Sequence, residues 1–143
     1  MKRRYLLVLA AAAIGLPLAA IAAAGSPERA AILAEYATRA RAADPGFSGF
    51  SMQRGEALFR GSFSGGDART PSCMSCHTAD PRQPGRNAKT GRPIDPVAVS
   101  VDPRRYTDAA QVDKHFARDC KSVLGRDCTA LERGDYITFM AGQ

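Results

Sequence analysis

Cys73-Met74-Ser75-Cys76-His77 carries the most specific chemistry in this chain of 143 residues. Two thiols three residues apart, followed at once by an imidazole, match the attachment signature of haem c. The spacing has a physical reason. One helical turn brings both sulfurs to the two vinyl groups on one edge of a porphyrin, and the next side chain swings beneath the ring to bind iron. Other uses of these residues fit less well. A thioredoxin-type dithiol belongs in a βαβ setting, and the chain has no strand alternation. A zinc site needs four ligands of compatible spacing. His115, Cys120 and Cys128 could help complete one, but the Cys-x-x-Cys-His order would then be coincidence. A disulfide inside Cys-x-x-Cys is strained. The expectation is one covalent haem c on Cys73 and Cys76, with His77 as the proximal iron ligand.

The opposite axial position decides between electron carrier and gas binder. Electron-transfer haems usually place Met or His there. Met74 lies inside the motif and cannot cross the ring. Met52 and Met140 fall on apolar helix faces and read as core. His115 is the one His besides His77, with Asp119 a helical turn later on the same face. That pair could be a solvated ion pair, a haem ligand steadied by its carboxylate, or a distal partner for a bound gas. Asp119 could itself bind ferric iron as a hard anionic ligand and hold ferrous iron poorly. The remaining cysteines, Cys120 and Cys128, could close a short disulfide loop or stay free thiols.

Helices must position these groups. Lys2-Arg3-Arg4, the apolar run Tyr5–Ala24 and the small residues Ala22-Ala23-Ala24 read as a secretory signal peptide over residues 1–24, although an uncleaved anchor has similar length. Either way the working part is outside the cytoplasm, in the periplasm, where cysteines can oxidise. Of 20 basic residues three lie in that segment, leaving 17 against 14 acidic ones. So mild an excess does not argue for nucleic acid. Residues 25–50 read as an N-terminal helix (Glu28–Ala43, with Ile32, Leu33, Tyr36 and Ala40 on one face) and a connector. Within 51–143, Ser51–Arg60 reads as a second helix with Met52, Gly55, Leu58 and Phe59 on its apolar or small face. Gly55 there suggests close helix contact. Pro81, Pro84, Pro93 and Pro96 make residues 80–102 a long loop of the kind that wraps something. A third helix is expected over about Asp108–Arg118, with Val112 and Phe116 inward. Thr129-Ala130-Leu131-Glu132 has capping-box spacing before a last helix. The class is all-α. Aromatics are only 7% and Trp is absent, so the core would be thin without a porphyrin plate to fill it.

From Gly55 to Gln143 the chain resembles the SHP (sphaeroides haem protein) family, small exported oxygen-binding cytochromes c. The matching stretches are Arg54-Gly55-Glu56-Ala57-Leu58-Phe59, Thr70-Pro71-Ser72-Cys73-x-x-Cys76-His77-Thr78 and Asp102-Pro103-Arg104-Arg105-Tyr106-Thr107-Asp108. The most specific is Arg118-Asp119-Cys120-x-Ser122-Val123-x-Gly125-Arg126-Asp127-Cys128-Thr129. The resemblance implies a class I cytochrome c-like fold over residues 51–143, with the Gly55/Phe59 helix crossing the last one. It implies a Cys120–Cys128 disulfide and His77 as proximal ligand. It also implies a weak distal Asn that leaves on reduction, so that ferrous iron takes oxygen or nitric oxide. This sequence has Asp119 where the family has that Asn, and His115 where it usually has Trp. Asp119 or His115 is therefore the candidate distal ligand.

Three functions share this expectation. One is electron transfer with periplasmic or membrane redox cytochromes, including a bis-His low-potential form. Another is binding of a small diatomic ligand. The last, a small haem peroxidase or reductase, is the weaker option, so the chain reads as a carrier or ligand-binding protein rather than an enzyme. Arg82, Arg86, Lys89, Arg92, Arg104 and Arg105 could dock an acidic partner, pair with haem propionates, or be a solvated basic loop.

Overall fold

The computed structural model describes residues 25–143, and the expected signal segment, residues 1–24, lies outside the described residues. Five helices carry the fold: α1 (Pro27–Ala43), α2 (Met52–Arg60), the single turn α3 (Met74–His77), α4 (Ala109–Leu124) and α5 (Ala130–Ala141).

Local chemistry sets most of their ends. The side chains of Ser26, Ser51 and Asp108 cap α1, α2 and α4 by accepting from the backbone N–H three residues on. Thr129 and Glu132 form the expected reciprocal capping box on α5. α4 runs past the expected end at Arg118 to Leu124. It stops at Gly125, whose φ of 73° suits a residue without Cβ, and whose N–H donates to the Lys121 carbonyl. Cys120 therefore sits inside α4, and its sulfur is bonded to that of Cys128 across the turn.

Residues 80–102 contain a small departure from the expected irregular loop. Gly85–Arg86 (β1) and Pro93–Ile94 (β2) pair antiparallel, Gly85 opposite Ile94. Asn87 closes the connection, its side-chain oxygen accepting from the N–H groups of Lys89 and Thr90, both at 2.9 Å. A ladder of two residues a side is too short to show alternation in sequence.

α2 crosses α5 closely. A Cβ on Gly55 would overlap the Asp135 backbone carbonyl, so only glycine permits the approach. An ion pair ties the same crossing, with Arg54 Nε 2.6 Å from Oδ2 of the buried Asp135. α1 packs on α5 and inserts Ile32 and Tyr36 into a cluster with Val112, Phe116, Cys120, Cys128 and Ile137. A second cluster joins Phe59, Val97, Phe139 and Met140. Tyr106 and Tyr136 touch both, and both tyrosines line a cavity.

Met52 corrects one expectation. Its spacing assigns it to the apolar face of α2, but as the first residue of the helix it is 48% exposed, with its side chain beside Gly142.

Candidate haem site

The Cys73–His77 segment is fastened before any cofactor is considered. The N–H groups of Cys76 and His77 donate to the Cys73 carbonyl at 3.2 and 3.1 Å, forming one helical turn. Ser72 pins its start, accepting from Met74 N at 3.2 Å and donating to the Phe59 carbonyl of α2 at 3.3 Å. The turn ends at Thr78, a non-glycine residue at φ 62°. Gly85 lets the 80–102 loop pass against the motif, since a Cβ there would overlap the Cys76 carbonyl.

Cys73, Cys76 and His77 line a cavity of about 1130 Å³, and so do His115, Arg118 and Asp119 of α4. Its size is somewhat above that of ordinary ligand clefts, which run to about 1,000 Å³. Leu58, Val97, Phe116 and Tyr136 supply apolar wall. Neither Met52, Met74 nor Met140 lines it; Met140 is fully buried in the second cluster, and Met74 packs against that cluster.

Burial lowers the His77 pKa, with the Asp119 charge acting in the opposite sense, so the imidazole favours its neutral, metal-binding form. Burial, followed by Asp119, pushes the Cys73 thiol up to about 12. Asp119 lines the same cavity as both motif residues.

The expected His115–Asp119 pair is present but is organised by Arg118. Arg118 Nε donates to Asp119 Oδ1 at 2.7 Å and its Nη2 to Oδ2 at 3.1 Å. The same Nη2 lies 2.8 Å from His115 Nδ1, whereas Asp119 Oδ2 is 4.0 Å from that nitrogen. A guanidinium can only donate, so Nδ1 accepts and neutral His115 carries its proton on Nε2. Residue spacing misses Arg118. Its place three residues after His115 and one before Asp119 is the available signal.

Three further cavity residues have side-chain environments that their spacing does not reveal. Tyr106 and Tyr136 have hydroxyls whose pKa values burial raises. Arg105 carries an Nε that is buried and has no hydrogen-bond partner. A large cleft with apolar walls, two thiols and an imidazole on one turn, and a guanidinium whose buried Nε has no hydrogen-bond partner fits a flat apolar group bearing carboxylates, as haem is. The zinc alternative loses Cys120 and Cys128 to each other, and among the described residues no three His, Cys, Asp or Glu side chains gather to hold a metal.

Residues 45–140 match a family described as "Domain of unknown function (DUF1924)". Cytochrome c-type protein SHP of Cereibacter sphaeroides is 42% identical over 127 residues, covering 88% of this chain and 92% of that protein. Cytochrome c'' of Methylophilus methylotrophus is 32% identical over 106 residues, 74% of each. A solved structure of oxidized SHP, described as an oxygen binding cytochrome c, matches with a TM-score of 0.73 at 39% identity, over 83% of this chain and 98% of that one. The solution structure of Methylophilus methylotrophus cytochrome c'', described as giving insights into haem-ligand detachment, matches with a TM-score of 0.69 at 29% identity, over 80% and 93%. Matched over most of its length by two c-type cytochromes of the same all-α fold, the chain belongs to the SHP-type family of haem-binding cytochromes c.

Proposed function

We propose that this chain is an exported monohaem cytochrome c that transfers electrons, and whose distal position opens on reduction to take a small diatomic ligand such as oxygen or nitric oxide. Bound in the cavity, haem would supply one-electron chemistry at iron and a site for such a ligand. Cys73 and Cys76 are the thioether residues and His77 the proximal one.

The observation that carries the reading is Asp119, an anionic oxygen donor that lines the same cavity as His77 and Cys73, a cavity that none of Met52, Met74 and Met140 lines. A carboxylate is a hard ligand. It favours the ferric state and is held weakly by the ferrous one. Arg118 weakens it further by drawing on both of its oxygens, although each retains a free lone pair. His115 is placed to donate from Nε2. To ligate iron through that nitrogen it would have to give up either its proton or its bond from Arg118. This supports Asp119 over His115 as the distal ligand, and His115 as a donor beside it. Oxygen binding by SHP and the ligand detachment described for cytochrome c'' support an opening distal site here.

Export rests on residues 1–24 as a cleaved signal peptide, which directs the protein to the periplasm. Its redox partners there are periplasmic or membrane cytochromes, and the exposed Arg92 on the cavity lining offers charge to an acidic face.

The test is the visible spectrum of the reduced holoprotein before and after adding carbon monoxide. A high-spin ferrous spectrum that shifts at once is expected. A sharp low-spin ferrous spectrum indifferent to carbon monoxide would overturn gas binding and leave a bis-His electron carrier.

A further inference from the structure

Arg105 has a donor that neither electron transfer nor gas binding uses. Its Nε is sealed from solvent without a hydrogen-bond partner, which is uncommon in native folds. The carboxylate of Asp102 reaches it only as a long ion pair, beyond hydrogen-bond distance. Asp102 Oδ1 accepts from Arg104 N at 3.0 Å and Arg104 Nε at 3.3 Å, while its Oδ2 stays 3.8 Å from Arg105 Nε. Lys89 and Arg118 on the cavity wall are matched by contrast, Lys89 with Asp67 at 3.1 Å and Arg118 with Asp119.

The backbone that presents Arg105 is held from a distant element. Arg29 of α1, itself buried, donates from Nε and Nη2 to the Arg105 carbonyl at 3.1 and 2.9 Å, and from Nη2 to the Pro103 carbonyl at 2.6 Å. The next residue, Tyr106, lies at φ 60°, a left-handed conformation costly for a bulky side chain. Such a conformation persists only where the surroundings over-determine it. Here the Tyr106 hydroxyl donates to the Val97 carbonyl at 2.9 Å, and its ring meets Tyr136 edge-on at 6.1 Å. Segment 103–106 is therefore clamped by Arg29 on one side and by the Tyr106 contacts on the other.

We propose that Arg105 binds a carboxylate of the group in the cavity, a porphyrin propionate, and that Arg29 is the positioning residue that aims it. The proposal rests on the haem reading of the cavity. A planar guanidinium matches a carboxylate better than an ammonium does, because it offers two parallel N–H groups. The unmet Nε is then a donor reserved for a partner that arrives with the cofactor. α1 acquires a role at the site although it lies outside the motif region.

The experiment compares haem-loaded wild type with Arg105→Gln, Arg105→Lys, Arg29→Met and the Arg29→Met/Arg105→Gln double variant. It reads the propionate bending band by resonance Raman together with the midpoint potential. Arg105→Gln is expected to shift the band to lower frequency. It should also lower the potential, since an uncompensated carboxylate favours the ferric state. Arg105→Lys should keep most of the potential but not the band position. Arg29→Met should move both in the same direction by less, and the double variant should go no further than Arg105→Gln. A band and potential unchanged in Arg105→Gln overturn the proposal. If that variant does not mature, a wild-type band in Arg105→Lys overturns it equally. Additive shifts, or an Arg29→Met protein that loses stability with an unmoved band, overturn the positioning role. A wild-type chain purified without covalent haem overturns the haem reading itself, and this proposal with it.

Discussion

Asp119 and His115 lie one turn apart on α4, and a single guanidinium decides what each has to offer. With Arg118 donating to both, Asp119 is a partly neutralised anion and His115 a donor through Nε2. Asp119→Ala is therefore expected to shift the ferric absorption spectrum, while His115→Ala leaves it in place. The reverse pattern, read by visible absorption of the two oxidised variants, would make His115 the ligand. The Cys73–His77 motif is legible in sequence because its geometry is local: one turn fixes all three groups. Arg118 is not, because a pair four residues apart on a helix does not reveal that a third side chain, on the intervening turn, takes the bonds of both.

The α2–α5 crossing is the element that binds the motif to the rest of the chain, since Phe59 of α2 receives the Ser72 hydroxyl and packs on Phe139 and Met140. Gly55 points to a close contact in the sequence without naming what it meets. The structure identifies the Asp135 backbone as the neighbour. Gly55→Ala should cost about 1–3 kcal/mol or more, the penalty of an overpacked core, measured as a lower urea midpoint with an unchanged slope. A loss below about 0.5 kcal/mol, the size of an ordinary surface substitution, would mean that the helices can part to admit a methyl. Helix starts are legible where a cap marks them, as at Ser26, Asp108 and Thr129, whereas Ser51, read as the first residue of α2, is its cap. The end of α4 lies about two turns beyond the expected one, because Cys120 belongs to the helix and only Cys128 lies past the turn. The left-handed Gly125 is what stops the helix.

For the molecule as a whole, the core divides into two apolar clusters whose shared tyrosines line the cavity, and exposed ion pairs fasten the loops around it. The Arg69 guanidinium, its backbone N–H and Lys89 hold Asp67 well below the usual carboxylate range. The Arg82 and Arg104 backbone N–H groups lower Asp80 and Asp102, and Arg126 lowers Glu132. Each of these carboxyls has a folded pKa beneath its unfolded one. Their contribution is present above the unfolded values of about 4 and is lost as pH falls through the folded ones. The urea midpoint should hold steady near neutrality and fall progressively below about pH 5. A midpoint that rises on acidification would contradict the carboxylate pairings. The pairs are largely solvent-exposed, so salt should blunt the effect.

The sequence by itself determined the haem-attachment turn, the helical class, the caps and the family, all of which depend on residues within a few positions of one another or on a linear pattern. Tertiary structure alone decided which side chains reach the cavity and what holds them there. Arg29 meets the Arg105 carbonyl across 76 positions of chain, and Tyr36 donates to Asp113 across 77. Such contacts have no spacing code. They arise because packing α1 against the rest of the chain sets polar groups of distant segments facing one another, and a buried donor or acceptor without a partner is costly. Among the described residues, the buried side-chain donor that folding leaves unmatched is Arg105 Nε, visible only once every nearer acceptor has been assigned.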